Sequence, residues 1–463
     1  MLFQWYVFEG GKKPYVKSSL GIDFGFLNQK IVTDGIFIDV NEWAKLEKVL
    51  SSRIEKDPDY YQKFINLCYK CADRLIGESE KIGRMQGLQN ISDQELLKLY
   101  KDYQISVLKS IPFLDTTLVL NNILTKSLTG LLESELGIKD KNEQDLLLSN
   151  LVIPIKKSFF VEETEAILRI ALKMQKKRNA DIGKDIDKYL EKFAWMSMIA
   201  YVGKPYTKEA VLKRVEEILK EDPKEQMAKA REVNIKTVRN YEIAYQKIEK
   251  SQKLVNLINY AQEFLYLLNY RLDIFFKAHF LVSPLFKEIG RRMNITVDEV
   301  VYLTGDEIVE LIEGKKKIDK KEVVQRVSDY ALIKKEGKFY IQSGKDVKRV
   351  AYGKVVTTEV KGQVANRGRA TGKIKLVFET EDISKVMRGD ILVSPMTRPN
   401  MVPAMMKARG IITDFGGMLC HAAIISREFD LPCVVGTKNA TKVFKDGDLV
   451  ELNVYEGIAR KLK

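Results

Sequence analysis

From about Asn41 to Val327 the chain repeats apolar residues at the spacing i, i+3, i+4, i+7, as in VEETEAILRIALKMQKK and TKEAVLKRVEEILKE. That period lays one apolar stripe along each helix, so the stretch folds as amphipathic helices packed on one another. Start signals agree with the period. Ser92 with Glu95, Thr296 with Glu299 and Thr304 with Glu307 each have the spacing of a capping box. In such a box two side chains satisfy N–H groups that the first helical turn leaves unpaired. The segment TGDEIVELIEG closes on Gly314, suited to the left-handed residue that ends a helix.

Both ends of the chain have a different pattern. Residues 1–40 carry strand-like runs, FQWYVF and KIVTDGIFIDV, with turn residues between them. After the helices, YALIKKEGKFYIQ reads as a hairpin turning near Glu336 and Gly337, and residues 344–361 read as a charged connector. Beyond it TGKIKLVF, DILVS, GIITD, PCVVG and DLVELN are short strand candidates, with PNMVPAMMKA and HAAIISREF as helix-length stretches between them. Alternation of that kind marks an α/β domain. The expected architecture is multidomain, α + α/β. It has a small β-containing segment over 1–40, a mainly helical domain over 41–343, a connector over 344–361 and a C-terminal α/β domain over 362–463.

Charge and composition exclude several classes. The 77 Lys and Arg are spread among 63 Asp and Glu, leaving a net charge of +14. No basic block sits beside stacking aromatics, which argues for a lysine-rich solvated surface and against a nucleic-acid binder. Apolar runs such as WMSMIAYV stay far below the roughly 18–20 residues of a membrane span. The first residues lack the charged and apolar regions of a secretory signal, so a cytoplasmic protein is expected. Four cysteines provide no disulfide framework. Cys68 and Cys71 have C-x-x-C spacing inside a helical pattern, without a second pair or a nearby histidine, and read as helix face, not as a zinc site.

Only two histidines occur. His421 follows Gly416 and Gly417 in FGGMLCHAAIISRE, between the strand candidate GIITD and a helix beginning near Cys420. A glycine turn before a helix start is suited to bind anions, because its backbone N–H groups approach a phosphate closely. An imidazole that attacks phosphorus must be neutral, and the positive helix end disfavours the cation by about 0.3–1 kcal/mol. A cap or core histidine is the plainer reading of the same spacing. His279, in FFKAHF, is flanked by aromatics and reads as a core or pocket-wall residue, with an acceptor-site role left open.

The run ITDFGGMLCHAAIISREFDLPCVVGTKNATKVFKDGDLVELN, with GQVANRGRATGKIK and GDILVSPMTRPNMVPAMMKA before it, resembles the phosphohistidine swivelling domain of the phosphoenolpyruvate-utilising enzymes. That family includes phosphoenolpyruvate synthase, pyruvate phosphate dikinase and rifampin phosphotransferase. The resemblance runs from about Lys361 to the C-terminus and implies that His421 is the phosphorylated residue. By the same resemblance Gly416 and Gly417 form the phosphate-binding turn, Cys420 packs or hydrogen-bonds beside it, and Arg427 is the family's arginine in the following helix. Leu419 departs from the Thr, Ser or Asn usual in the synthase and dikinase, and points to the rifampin phosphotransferase-like branch. LFKEIGRRMNITVDEVVYLTGDEIVELIEG resembles the end of that branch's helical domain.

No room is seen for the family's nucleotide-binding domain before the helices, and the chain stops after EGIARKLK, where the synthase barrel would follow. GRATGKIK is one residue short of a P-loop and has Ile where magnesium needs Ser or Thr. The resemblance therefore implies a phosphotransferase component with no covalently bound cofactor and no metal site of its own. ATP and Mg²⁺ are expected on a separate nucleotide-binding subunit, as in phenylphosphate synthase, and the acceptor is a small molecule. The alternative is a non-catalytic interaction or regulatory protein that keeps the swivelling-domain fold.

Overall fold

The computed structural model describes all residues except 33–34, 154, 177–180, 199–202, 221, 329, 344–357, 379, 398–400, 418–419 and 463. The chain forms two compact units. One comprises Met1–Ile123, Trp195–Pro205 and Arg271–Gly353, and the other Leu124–Ala194, Tyr206–Tyr270 and Lys354–Lys463. Helix dominates, and a mixed sheet lies in the C-terminal region.

In the first unit the capping boxes form as the spacing requires. The hydroxyls of Ser92, Thr296 and Thr304 accept from the backbone N–H of Glu95, Glu299 and Glu307, at 3.2, 3.2 and 3.1 Å. Gly314 takes a left-handed φ of +69° just past Gly305–Ile312. One expectation fails. FQWYVF is part of the helix Leu2–Gly10, not a strand. Leu2, Trp5, Tyr6, Val7 and Phe8 are all buried, so no polar stripe exposes the helical period. A short run apolar all round cannot be distinguished from a buried strand by pattern. Lys13–Leu20, also within the first 40 residues, is a second helix.

KIVTDGIFIDV does yield strands, β1 (Gln29–Val32) and β2 (Gly35–Ile38). The hairpin is formed by β3 (Tyr330–Lys335) and β4 (Lys338–Ser343), turning through Glu336 and Gly337 at φ +51° and +77°. Two positive φ values match a type I′ turn, whose twist fits that of its strands. β1 then pairs antiparallel with β3, Ile31 opposite Leu332, giving the sheet order β2-β1-β3-β4.

In the second unit the helices Lys141–Leu151, Phe159–Lys176, Gly183–Phe193, Lys208–Leu219 and Pro223–Tyr245 accompany an eight-stranded sheet. Its strands are β5 (Glu359–Lys361), β6 (Gln363–Asn366), β7 (Arg369–Leu376), β8 (Ile391–Ser394), β9 (Gly410–Thr413), β10 (Cys433–Val435), β11 (Leu449–Asn453) and β12 (Ile458–Lys461). The last residues assigned to the connector are therefore strand β5, paired with β12, while 344–357 lie outside the described residues. GRATGKIK lies largely in β7, not in a loop before a helix.

Order across the sheet is β5-β12-β11-β7-β8-β9-β10-β6. The central β7, β8, β9 and β10 run parallel, and the flanking strands antiparallel. Ile391, Val393, Ile412 and Val434 share one apolar cluster with Phe444, while Leu392 and Ile411, which alternation turns to the opposite face, are equally buried. A parallel sheet buried on both faces needs helices to cover it. The pair Val402–Lys407 and His421–Glu428, and the short helix Ala440–Val443, supply that cover.

Candidate functional site

In sheets of this kind, sites form outside the carboxyl ends of parallel strands, where successive loops converge. β8, β9 and β10 end at Ser394, Thr413 and Val435, and the residues just beyond them are tied together. Asp414 donates its N–H to the Ser394 carbonyl at 3.1 Å, Phe415 to that of Pro395 at 2.9 Å, and Thr437 to that of Thr413 at 3.0 Å. The Asp414 carboxylate accepts from the Thr437 hydroxyl at 3.3 Å, from the Thr441 backbone at 3.0 Å and from the Thr441 hydroxyl. These bonds fix the chain as it enters the glycine turn.

Gly416 has φ +118°, and a Cβ there would meet the Cys420 Sγ at 2.6 Å. Only glycine fits. A Cβ on Gly417 would instead lie 3.5 Å from Gln363 Oε1, an ordinary contact, so this second glycine is not sterically required. The two glycines of the motif thus have different reasons to be there.

Cys420 is the N-cap of the helix His421–Glu428. Burial raises its thiol pKa, and the amides of Ala423, Ala422 and Gly417 only partly offset that, so it stays a neutral thiol in a packing position. His421 opens the helix and is half-buried. Its Nδ1 lies 2.7 Å from the hydroxyl of Thr397, a residue of the loop after β8. Among the described residues Nε2 has no hydrogen-bond partner. Burial lowers the imidazole pKa to about 3, so the ring is neutral at physiological pH. Met396 and Phe415, 47% and 49% exposed, project from the two loops that meet here.

Arg427 sits near the far end of the same helix, where its Nε donates to the Ala365 carbonyl at 3.1 Å. Burial lowers its pKa to about 10. In this arrangement it ties the helix to β6. His279 belongs to the other unit, near the end of the helix Gln252–Leu281. It is 1% exposed, and the rings of Phe3, Tyr103 and Phe275 have centroids 5.7, 6.5 and 6.5 Å from its own. Cys68 is buried with its pKa pushed up to about 12. Among the described residues no group of three or more His, Cys, Asp or Glu is placed to hold a metal ion, and Leu419 lies outside them.

Thr397 is the residue that reading the sequence missed. It stands 24 positions from His421, and only the pairing of β8 beside β9 brings the two loops together. The hydroxyl beside the imidazole comes from a neighbouring strand's loop.

Residues 386–457 match the family model described as PEP-utilising enzyme, mobile domain. Over these residues the chain is similar to the mobile domain of the PEP-utilising enzymes. A probable phosphoenolpyruvate synthase of Archaeoglobus fulgidus is 51% identical over 134 residues, which is 28% of this chain and 17% of that protein. The phosphoenolpyruvate synthase of Pyrococcus furiosus is 38% identical over 181 residues, 35% of this chain and 22% of that protein. Rifampicin phosphotransferase of Bacillus cereus is 28% identical over 219 residues, 46% of this chain and 25% of that protein. The chain therefore spans a quarter or less of the length of these relatives. No helix among the described residues is long and apolar enough to cross a membrane.

Proposed function

We propose that this chain is the phosphohistidine-bearing component of a dikinase-like phosphotransferase, with His421 as the residue that carries the phosphoryl group. The observation that supports the reading is the setting of one ring: half-buried, neutral, with Nδ1 on Thr397 and Nε2 unengaged among the described residues. With the proton on Nδ1, donated to the Thr397 oxygen, the Nε2 lone pair is the nucleophile. Nε2 bonds to phosphorus as the bond from phosphorus to the leaving nucleotide oxygen breaks. An acceptor oxygen later attacks that phosphorus and the N–P bond breaks, so one hard transfer is divided into two easier ones.

The turn at Gly416–Gly417 and the first amides of the helix are suited to the charge of the phosphorylated ring. Charging draws on ATP and Mg²⁺ held by a separate nucleotide-binding subunit, which supplies the charge neutralisation that phosphoryl transfer needs. The acceptor is a small molecule, with the helical residues 41–343 as its binding domain and 362–463 as the part that moves. Residues 344–361 link them. The relatives named phosphoenolpyruvate synthase and rifampicin phosphotransferase support the reaction class.

Two measurements test the proposal. Incubation with radiolabelled ATP, Mg²⁺ and a nucleotide-binding domain of this family should place an acid-labile, alkali-stable label on the wild type and none on His421→Ala. Phosphoramidate, which needs no partner, should phosphorylate the same ring at Nε2. Label that survives in His421→Ala, or a wild type inert to both donors, would sink the carrier role.

A further inference from the structure

A cleft of about 270 Å³ opens within the second unit, beyond the end of the His421–Glu428 helix remote from the imidazole. Three elements wall it. The helix Lys141–Leu151 contributes Asp145 and Ser149, and the helix Pro223–Tyr245 contributes Lys236 and Asn240. Residues four apart share a helix face, so each helix turns a polar pair to the same space. β6, the edge strand of the sheet, contributes Asn366, with Arg367 just beyond it.

Asp145 is half-buried, yet among the described residues its carboxylate has no hydrogen-bond or ion-pair partner. Burial raises its pKa, and the charges of Lys141, Arg427 and Arg367 offset that only in part. A carboxylate drawn out of water and given no donor in return is costly, and a ligand that supplies the donor is favoured. The other two walls carry cations, Lys236 and Arg367. Lys236 spends one N–H on Asp430 at 3.3 Å, in a pair 64% and 59% exposed, and an ammonium has two more to give.

We infer that the cleft binds a small zwitterion of amino-acid size, its ammonium on Asp145 and its carboxylate on Lys236 and Arg367. Ser149, Asn240 and Asn366 add polar groups for the rest of the ligand. Other classes fit worse. A nucleotide needs more room and an apolar face for its base, whereas this lining is mainly polar. A divalent cation needs several oxygen ligands, and among the described residues no group of three acidic, His or Cys side chains is placed to hold one. Asp145 repels a simple anion, and Lys236 and Arg367 repel a simple amine. A molecule with one charge at each end suits both. The intervening helix has eight residues, about 12 Å of length, so this ligand is separate from the chemistry at His421. The inference does not rest on the carrier role.

Isothermal titration calorimetry of the full chain with each common L-amino acid, up to about 10 mM, tests the site without any partner. At least one should bind, at one site per chain. Its N-acetyl and methyl ester derivatives each lack one charge and should bind about tenfold or more weakly. Asp145→Asn keeps the side chain's shape and should weaken the amino acid by about tenfold or more, but should not weaken its N-acetyl form. Lys236→Met should cost about threefold, because Arg367 remains. No amino acid bound at that concentration would overturn the site. So would a derivative that binds as tightly as its parent, or an Asp145→Asn chain that binds like the wild type. The derivatives need only the wild-type chain, so the test stands whatever Asp145→Asn does to folding. A His421 that takes no label leaves this titration untouched, so the two ideas fail separately.

Discussion

The two histidines of this chain stand in opposite surroundings. His421 projects from the carboxyl edge of a parallel sheet, with one nitrogen on a threonine hydroxyl and part of the ring open to solvent. His279 lies in a helical interior, 1% exposed, with Phe3, Tyr103 and Phe275 around it. His279 is shielded from water on every side, whereas His421 is only half-buried. On the proposed carrier role, burial would keep the imidazole neutral and the remaining exposure would let it be used.

The largest expected effect separates them outright. His421→Ala should lose the phosphoryl label completely, while His279→Ala keeps it and instead lowers stability by about 2–4 kcal/mol through the cavity it leaves. Label assays together with urea melts give both values. A His279→Ala variant that is stable yet fails to pass the phosphoryl group on would place that ring at the acceptor site and break the contrast.

Next in size is the pair of glycines. Gly416→Ala must relieve both a φ of +118° and a Cβ only 2.6 Å from the Cys420 Sγ. Strain of this kind costs about 1–3 kcal/mol, and because it falls on the turn that sets His421, charging should slow at least tenfold. Gly417→Ala has neither problem and should stay within about 1 kcal/mol of wild-type stability. Equal effects at the two positions would mean that the turn adopts another shape when phosphate arrives.

The asymmetry between regions extends to what the sequence discloses. Strands β7 to β11 and the His421 helix were legible because each is short, apolar and bounded by turn residues, and because the motifs keep a fixed order. Capping boxes at Ser92, Thr296 and Thr304 were legible because capping is a local bond three residues long. Leu2–Gly10 was not, since a helix buried all round has no polar face to mark its period. Neither the pairing of β1 with β3 nor the meeting of Thr397 with His421 could be read, because both depend on which distant segments become neighbours in a sheet.

Thr397 carries the third prediction. Thr397→Val keeps the shape of the side chain but leaves Nδ1 without its partner, and a lost neutral hydrogen bond of about 1–1.5 kcal/mol converts to roughly a tenfold slower charging rate. Thr397→Ser should restore most of it. If the hydroxyl only packs, the two substitutions will be alike. If it fixes the tautomer, valine will also shift phosphoramidate labelling from Nε2 toward Nδ1, which a structural role would not do.

The smallest effect is a pH dependence, and its sign follows from the ring's burial. The folded imidazole has its pKa lowered to about 3, against about 6.5 when the chain is unfolded. Below about pH 6.5 the unfolded state therefore binds a proton that the folded state refuses, and folding weakens as pH falls from there toward 3. The stability is fully present above about pH 6.5. Partial solvent contact reduces the size of the effect, so the loss between pH 7.5 and 5 should be about 1 kcal/mol or less. His421→Gln cannot titrate and should flatten that part of the profile, whereas His279→Gln leaves the His421 contribution in place. NMR of the His421 ring offers the direct check: no titration between pH 5 and 8 fits a ring kept neutral by its surroundings. An inflection near 6.5 would mean that water already reaches the nitrogen, against burial as the cause of the lowered pKa.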